Sequence, residues 1–239
     1  MNQSEEAYVA VSIAPQLRLQ LEGVCVLGMR LSLQRIPGQN ANFWTDWSRL
    51  HQGWRGKSRK AIEQDSHVQA YRSFYSSMDL NPDHNPPSVQ ILVQRFLRED
   101  VLSKVPSIHP IVDAVNVAAV ETMVPLGVFD AGSISGDIVI DLSRDGEYFH
   151  AIGGKSAIQL EEGLIVLRDN NRVLSQFCSR DSEAQKITEF TQEIWLLGCQ
   201  VPGIAKEEVA QALSRAVEYL RRCYTVQPCW DEIGRAWAH

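Results

Sequence analysis

The sequence predicts an α+β fold with a mixed β-sheet core and flanking helices. Runs with helical spacing fill residues 43–75 and 206–223, whereas short strand-like runs fill residues 137–201. These segments do not alternate strictly, which argues against a doubly wound parallel sheet. The chain has 239 residues, of which 44% are hydrophobic, and can bury a core without disulfide bonds. We expect one domain over residues 1–225 and a C-terminal tail over residues 226–239.

Charge and cysteine content narrow the classes of function. Lys and Arg total 23 against 29 Asp and Glu, a net charge of −6, which excludes a general nucleic-acid coat but leaves a local basic patch open. The five cysteines are scattered without a C-x-x-C pair, which disfavours a disulfide framework or a structural zinc site. Neither a signal peptide nor a membrane span is predicted. We expect a cytoplasmic protein without cofactor or metal.

The N-terminal half is predicted to begin with strands and to continue with helices. Residues 7–13 and 17–33 contain β-branched or alternating residues, and Gly23 and Gly28 interrupt the second run as turns or bulges do. From residue 43 to residue 75, tryptophans and aliphatic residues recur at helical spacing. This part of the chain therefore predicts strands followed by helices.

Prolines and glycines mark the elements that follow. The three prolines of the NPDHNPP stretch interrupt regular secondary structure, and the hydroxyl of Ser88 is predicted to N-cap the next helix. Another helix is predicted over residues 111–123 and ends before Pro125. A last helix over residues 206–223 follows a Pro-Gly break, and the residues from Thr225 onward resemble a tail. The strands predicted between these helices are 137–142, 147–152, 164–168 and 194–201.

Common catalytic motifs are absent from the sequence. It lacks G-x-G-x-x-G, the Walker lysine loop, H-E-x-x-H and G-x-S-x-G, which removes the simplest support for hydride transfer, phosphoryl transfer and zinc hydrolysis. His109 and His150 are interpreted as core or surface histidines. Cys178 has no obvious base beside it and is interpreted as a small buried hydrophobic residue.

The first candidate site lies in residues 105–137. Asp113 and Asn116 are three residues apart on a predicted helix and therefore face the same way. Gly127 lets a ligand approach the backbone closely, and Asp130 ends the turn that follows. A structural interpretation also exists for each polar residue: the helical pair can bond neighbouring backbone, and Asp130 can close its turn through an Asx-type bond.

The second candidate site is the polar run after the strand-like VLSQFC. Arg180 can bind a carboxylate or phosphate in a bidentate manner, and Glu183 can orient or deprotonate a water molecule. The structural alternative is that Asp181 or Ser182 caps the next helix while Arg180 makes a surface ion pair.

A basic and aromatic stretch, WRGKSRK at 54–60, is the candidate RNA contact. Its cations can neutralise phosphates, although a solvated helix face explains the same pattern. The residues assigned to RNA binding are Arg55, Lys57, Arg59 and Lys60.

Four segments in order resemble a known domain. They are NPPSVQILVQR (85–95), IHPIVDAVN (108–116), PLGVFD (125–130) and RDSE (180–183). Together they are similar to the central editing domain of the phenylalanyl-tRNA synthetase beta chain, often called the B-three/B-four domain, and most similar to its free-standing versions. The resemblance covers residues 65–200 and implies an α+β fold with a pocket over a mixed sheet.

The resemblance also implies a reaction and roles for residues. In the synthetase, the pocket hydrolyses the ester of an amino acid wrongly attached to tRNA. By this likeness Asn116 and Glu183 are catalytic candidates, and Glu183 matches a glutamate that recognises the amino-acid side chain. Gly127 stands where the synthetase has a histidine, and free-standing members commonly have glycine there. The substrate-binding candidates are Gly127, Asp130, Arg180, Asp181 and Ser182.

Three functions are compatible with this resemblance. The first is a trans-editing aminoacyl-tRNA deacylase whose partner is the aminoacylated 3′ end of tRNA, with no DNA partner. The second is a non-catalytic module that binds an amino acid, a tRNA or a protein in the same pocket. The third is a hydrolase of another small ester or amide on the same scaffold.

Overall fold

The structure is a computed structural model that describes residues 8–39, 42–105 and 107–229. Its α-helices are α1 (Trp44–Trp54), α2 (Arg59–Glu63), α3 (Ser66–Ser77), α4 (Ser88–Leu92), α5 (Pro110–Thr122) and α6 (Lys206–Leu220). Its strands are β1 (Val9–Ala10), β2 (Ser12–Ile13), β3 (Cys25–Arg35), β4 (Leu126–Asp130), β5 (Val139–Leu142), β6 (Tyr148–Phe149), β7 (Ile158–Gln159), β8 (Ile165–Arg168), β9 (Val173–Ser175), β10 (Glu193–Gln200) and β11 (Tyr224–Pro228).

The strands form two main sheets and a small hairpin. The first sheet has the order β1-β3-β10-β4, with β11 also paired to β3, and its pairings are antiparallel. The second sheet has the order β2-β5-β8-β9 and is mixed, because β2 runs parallel to β5. Strands β6 and β7 form the hairpin. The predicted α+β class is therefore confirmed, and its mixed character belongs to the second sheet.

Helix α6 packs closely against the first sheet at a glycine. A Cβ atom on Gly198 of β10 would lie only 2.7 Å from Cγ1 of Val209 on α6, so the absence of a side chain permits this approach. A large hydrophobic cluster extends from Ala14 to Tyr224 and includes residues of both sheets and of the helices. The single domain expected over residues 1–225 stays a prediction that this cluster supports.

The N-terminal strand prediction is correct only in part. Leu17 ends a short 3₁₀-helix, Pro15–Leu17, the rest of the alternating run lies in a turn over residues 18–23, and β3 begins only at Cys25. Proline fixes φ at the start of the 3₁₀-helix, and Gly23 takes a φ of +77° that turns the chain. The alternating pattern therefore reflects a turn in which Leu17 and Leu21 are buried and Leu19 is exposed.

The chain does not become a tail at residue 225. Thr225 and its neighbours form β11, which pairs along β3 from Arg35 to Leu31. The amide of Cys229 continues this contact by donating to the carbonyl of Arg30 (2.8 Å). Residues 230–239 of the predicted tail lie outside the described residues.

In the described part of the chain, no helix is both long and apolar enough to span a membrane.

Candidate functional site

A cleft of about 110 Å³ opens between helices α4 and α5 and residues from both sheets. Its walls are mostly apolar, and a few polar groups converge on it, which is the usual character of a ligand site. The apolar lining includes Leu92, Ala119, Phe129, Leu167 and Leu197. The polar lining includes Ser88, Asn116, Ser175, Ser179 and Asp181.

Helix α5 brings Asn116 to the cleft but uses Asp113 elsewhere. The side-chain amide of Asn116 is half-buried in the cleft wall, and no described residue is hydrogen-bonded to it. The carboxylate of Asp113 instead accepts a hydrogen bond from the amide of Ile108 (2.9 Å), and burial raises its pKa. The two residues that were predicted to share a face therefore have different roles: Asp113 stabilises the backbone before α5, and Asn116 is available to a ligand in the cleft.

His109 shows how α5 begins. Its Nδ1 accepts a hydrogen bond from the amide of Ile111 (3.3 Å), so this histidine caps the helix. Burial lowers the pKa of His109, which favours the neutral ring that this acceptor role requires. The histidine is structural, as the sequence indicated.

Gly127 and Asp181 lie close together in the cleft lining. A Cβ atom on Gly127 of β4 would lie 3.9 Å from Oδ1 of Asp181 and 3.5 Å from Cε1 of Phe129. The backbone carbonyl of Asp181 accepts a hydrogen bond from the amide of Ile152 (2.9 Å), which fixes its loop. Burial raises the pKa of Asp181 to about 6, although the hydroxyl of Ser175 opposes this effect.

Asp130 does not reach the cleft. Its Oδ1 accepts a hydrogen bond from the amide of Gly132 (2.9 Å), and its Oδ2 accepts one from the hydroxyl of Thr191 (2.6 Å). This is the Asx-type closure of the turn that the sequence offered as an alternative. Both carboxylate oxygens of Asp130 thus hold the end of β4.

In the RDSE segment, too, some of the predicted site residues lie away from the cleft. The hydroxyl of Ser182 accepts a hydrogen bond from the amide of Ala184 (3.2 Å) and caps a short 3₁₀-helix. Glu183 is ion-paired with Lys186 outside the cleft lining, and this hydrogen bond lowers its pKa. Arg180 is exposed, and its side chain has no partner among the described residues. Of the four residues, only the aspartate reaches the cleft.

The predicted RNA-binding residues lie outside the cleft lining. All four are exposed, and Nζ of Lys57 lies 4.3 Å from the ring centroid of Trp54. The amide of Gly56 donates to the carbonyl of Arg98, just after the π-helical segment Val93–Leu97 that continues α4. None of the four basic residues is among those that line the cleft.

Several lining residues were missed by sequence reasoning. The prediction that Ser88 caps α4 is wrong: Pro87 occupies the cap position, and the Ser88 side chain lines the cleft instead. Proline at the cap leaves serine as the first helical residue, a shift of one position. The sequence feature that pointed to Ser88 was its position in NPPSVQILVQR, one of the four segments that carry the family resemblance.

Two thiols complete the cleft wall. Cys178 is buried, as predicted, but its sulfur lies 3.2 Å from the hydroxyl of Tyr75. A hydrogen bond to Cys178, together with burial, raises the pKa of Cys199 well above its usual range. Both effects favour the neutral thiol of Cys199 over the nucleophilic thiolate. Among the described residues, no cluster of His, Cys, Asp or Glu has the arrangement of a metal site.

Comparisons with known proteins converge on one domain. The profile of a family described as the B3/4 domain matches residues 70–224. The phenylalanine–tRNA ligase beta subunit of Paramagnetospirillum magneticum is 37% identical over 89 residues, which cover 37% of this chain and 11% of that protein. The corresponding subunit of Haemophilus ducreyi is 32% identical over 116 residues, covering 48% and 14%. The chain thus matches only a small fraction of the length of these relatives.

A solved structure also aligns with about half of this chain. An N-terminal fragment of the phenylalanyl-tRNA synthetase beta-subunit from Pyrococcus horikoshii aligns with a TM-score of 0.42 at 18% identity. The alignment covers 51% of this chain and 43% of that chain.

Proposed function

The chain belongs to the B3/4 domain family, and we propose that it is a trans-editing deacylase that hydrolyses the aminoacyl ester of mischarged tRNA in the cleft. One observation carries the proposal. The cleft joins an unpartnered side-chain amide, a strand backbone without a side chain and a carboxylate on otherwise apolar walls, namely Asn116, Gly127 and Asp181. Such a site can hold a small polar group and its ester bond.

The reaction does not need a strong side-chain base. An aminoacyl ester is already activated, so a site that positions the ester and one water and donates hydrogen bonds to the oxyanion accelerates hydrolysis. The amide of Asn116 is such a donor. The proposed mechanism therefore depends on positioning and hydrogen bonding.

Strand β4 is a second source of donors. The amide of Cys199 donates to the carbonyl of Pro125 (3.3 Å), and pairing in an antiparallel ladder alternates. The amides of Leu126 and Val128 therefore point away from β10, at the free edge of the sheet. These edge amides are available to a ligand beside Gly127.

Turnover of mischarged tRNA tests the proposal directly. Purified protein incubated with a panel of mischarged tRNAs is expected to accelerate deacylation of at least one of them. Asn116→Ala should lower that rate by about 10²-fold while retaining tRNA binding, because an oxyanion donor is lost. Glu183→Ala removes a carboxylate that is ion-paired outside the cleft, so we expect a loss of less than about tenfold. Absence of accelerated deacylation for every amino acid would contradict the proposal.

The basic stretch is proposed to contact the tRNA body beyond its 3′ end. Changing Arg55, Lys57, Arg59 and Lys60 together to Glu should weaken tRNA binding by at least about tenfold, because each phosphate contact releases counterions. Titrations at several salt concentrations should show a shallower dependence of log K on log salt, by up to ~0.9 per lost contact. An unchanged slope would remove these residues from the interface.

A non-catalytic binding module is the second candidate function. It is favoured by the cleft lining, which contains no histidine among the described residues and has Gly127 at the synthetase histidine position. Saturable binding of charged tRNA or of an amino acid without any turnover would select this alternative.

A further inference from the structure

We propose that Asp181 recognises the free ammonium group of the aminoacyl moiety, so that the cleft takes aminoacyl esters with an unblocked α-amine and rejects N-acylated ones. The inference rests on the proposed function and specifies its substrate class. It assigns to Asp181 a specificity role, distinct from the hydrogen bonding to the ester that we assign to Asn116.

The charge distribution of the cleft supports this role. Among the described residues that line it, Asp181 carries the only ionisable group that is an anion at neutral pH, and no lining residue is a cation. No described Lys, Arg or His forms an ion pair with its carboxylate, and its neighbour Arg180 is exposed. A carboxylate on apolar walls without a counter-charge is destabilised until a cation arrives.

The hydrogen bonds around Asp181 leave capacity for a ligand. The hydroxyl of Ser175 lies 2.6 Å from the carbonyl of Phe177 and 3.0 Å from that of Arg180, so its single proton is shared with other acceptors. Two carboxylate oxygens accept about four hydrogen bonds in all. Asp181 lines the cleft, and its Oδ1 lies 3.9 Å from the position that a Cβ on Gly127 would take.

A primary ammonium group matches these requirements. It supplies the missing positive charge and three hydrogen-bond donors, and charge-assisted hydrogen bonds are roughly twice as strong as neutral ones. Burial without a cation raises the pKa of Asp181 to about 6, and a bound ammonium would lower it again. An N-acylated amino acid has neither the charge nor the three donors, and would leave the carboxylate unpaired.

Binding of stable analogues tests the inference separately from hydrolysis. The probes are 3′-aminoacylamino-3′-deoxyadenosines carrying alanyl, seryl or tyrosyl groups, each with a free amine or an N-acetyl group, titrated by calorimetry into the full chain at pH 7.5. For at least one amino acid, we expect the free amine to bind at least about 30-fold more tightly, a difference of about 2 kcal/mol. In Asp181→Asn this preference should fall below threefold.

A surface variant provides the control. Glu189 is exposed and makes no side-chain hydrogen bond among the described residues, so Glu189→Gln should keep the full preference. Thermal unfolding of both variants verifies that each is folded. Equal binding of the free and acetylated probes to the unmodified protein, or a full preference in folded Asp181→Asn, would overturn the inference.

The two proposals fail in different ways. A preference for the free amine without hydrolysis of any mischarged tRNA would overturn the deacylase proposal and keep the role of Asp181. Equal hydrolysis of free and N-acetylated aminoacyl-tRNA would keep the deacylase and overturn the role of Asp181. Absence of both binding and hydrolysis would overturn both.

Discussion

Gly127→Phe is expected to abolish deacylation while the protein stays folded. The nearest heavy atom to a Cβ at this position lies 3.5 Å away, and the backbone does not have a positive φ, so the strand can accept a side chain. Phenylalanine is also favoured in strands. Its ring would occupy much of a cleft of about 110 Å³ and displace the ligand.

The expected loss is at least about 10²-fold in kcat/KM, the scale of removing a transition-state contact, with a change in Tm of only a few degrees. Gly127→Ala is the matched control, because a methyl group in ordinary contact leaves most of the cleft open. Deacylation by Gly127→Phe within threefold of the unmodified rate would locate the chemistry outside this cleft.

Asp181→Asn is expected to stabilise the protein at neutral pH. Burial raises the pKa of this carboxyl group from 3.8 to about 6, so the folded state holds the proton more tightly than the unfolded state does. Stability therefore falls as pH rises through this window and levels off above it. The free energy of unfolding falls by on the order of 3 kcal/mol for a pKa shift of this size. Asparagine does not titrate, so the Asn variant does not lose this stability.

Urea unfolding at two pH values measures this effect. At pH 7.5 the Asn variant should be more stable than the unmodified protein by about 2–3 kcal/mol, and at pH 3.5 the difference should nearly vanish, because Asp181 is then protonated in the folded state and mostly protonated in the unfolded state. Glu189→Gln should show no such pH-dependent gain. An equal difference at the two pH values would show that Asp181 is not a strained charge. Stabilisation combined with lost ligand discrimination is the trade-off typical of functional groups.

Periodicity predicted much of the fold, because helices and paired strands repeat their contacts locally. The spacing of apolar residues located α5, α6 and the helical region 43–75, which the structure divides into α1, α2 and α3, and the alternating run at 137–142 located β5. Pairing across the chain has no local signal, and β11 was missed for this reason: its residues form a strand only because the edge of β3 is free to bind them.

The candidate site was predicted to the level of segments rather than of side chains. In β4, Gly127 and Phe129 share one face and Asp130 points to the other, so the two-residue period of a strand already separates Asp130 from Gly127. The RDSE loop has no such period. There the orientation of Asp181 depends on distant partners, such as the amide of Ile152, that the sequence does not reveal.

The most direct test of the cleft as the reaction site is a crystal structure with a 3′-aminoacylamino-3′-deoxyadenosine bound. Our account predicts that the aminoacyl group lies between α4 and β4, with its ammonium about 3 Å from a carboxylate oxygen of Asp181 and its carbonyl within hydrogen-bond distance of Asn116. A ligand seated elsewhere on the protein, or a cleft that stays empty at saturating ligand, would contradict it.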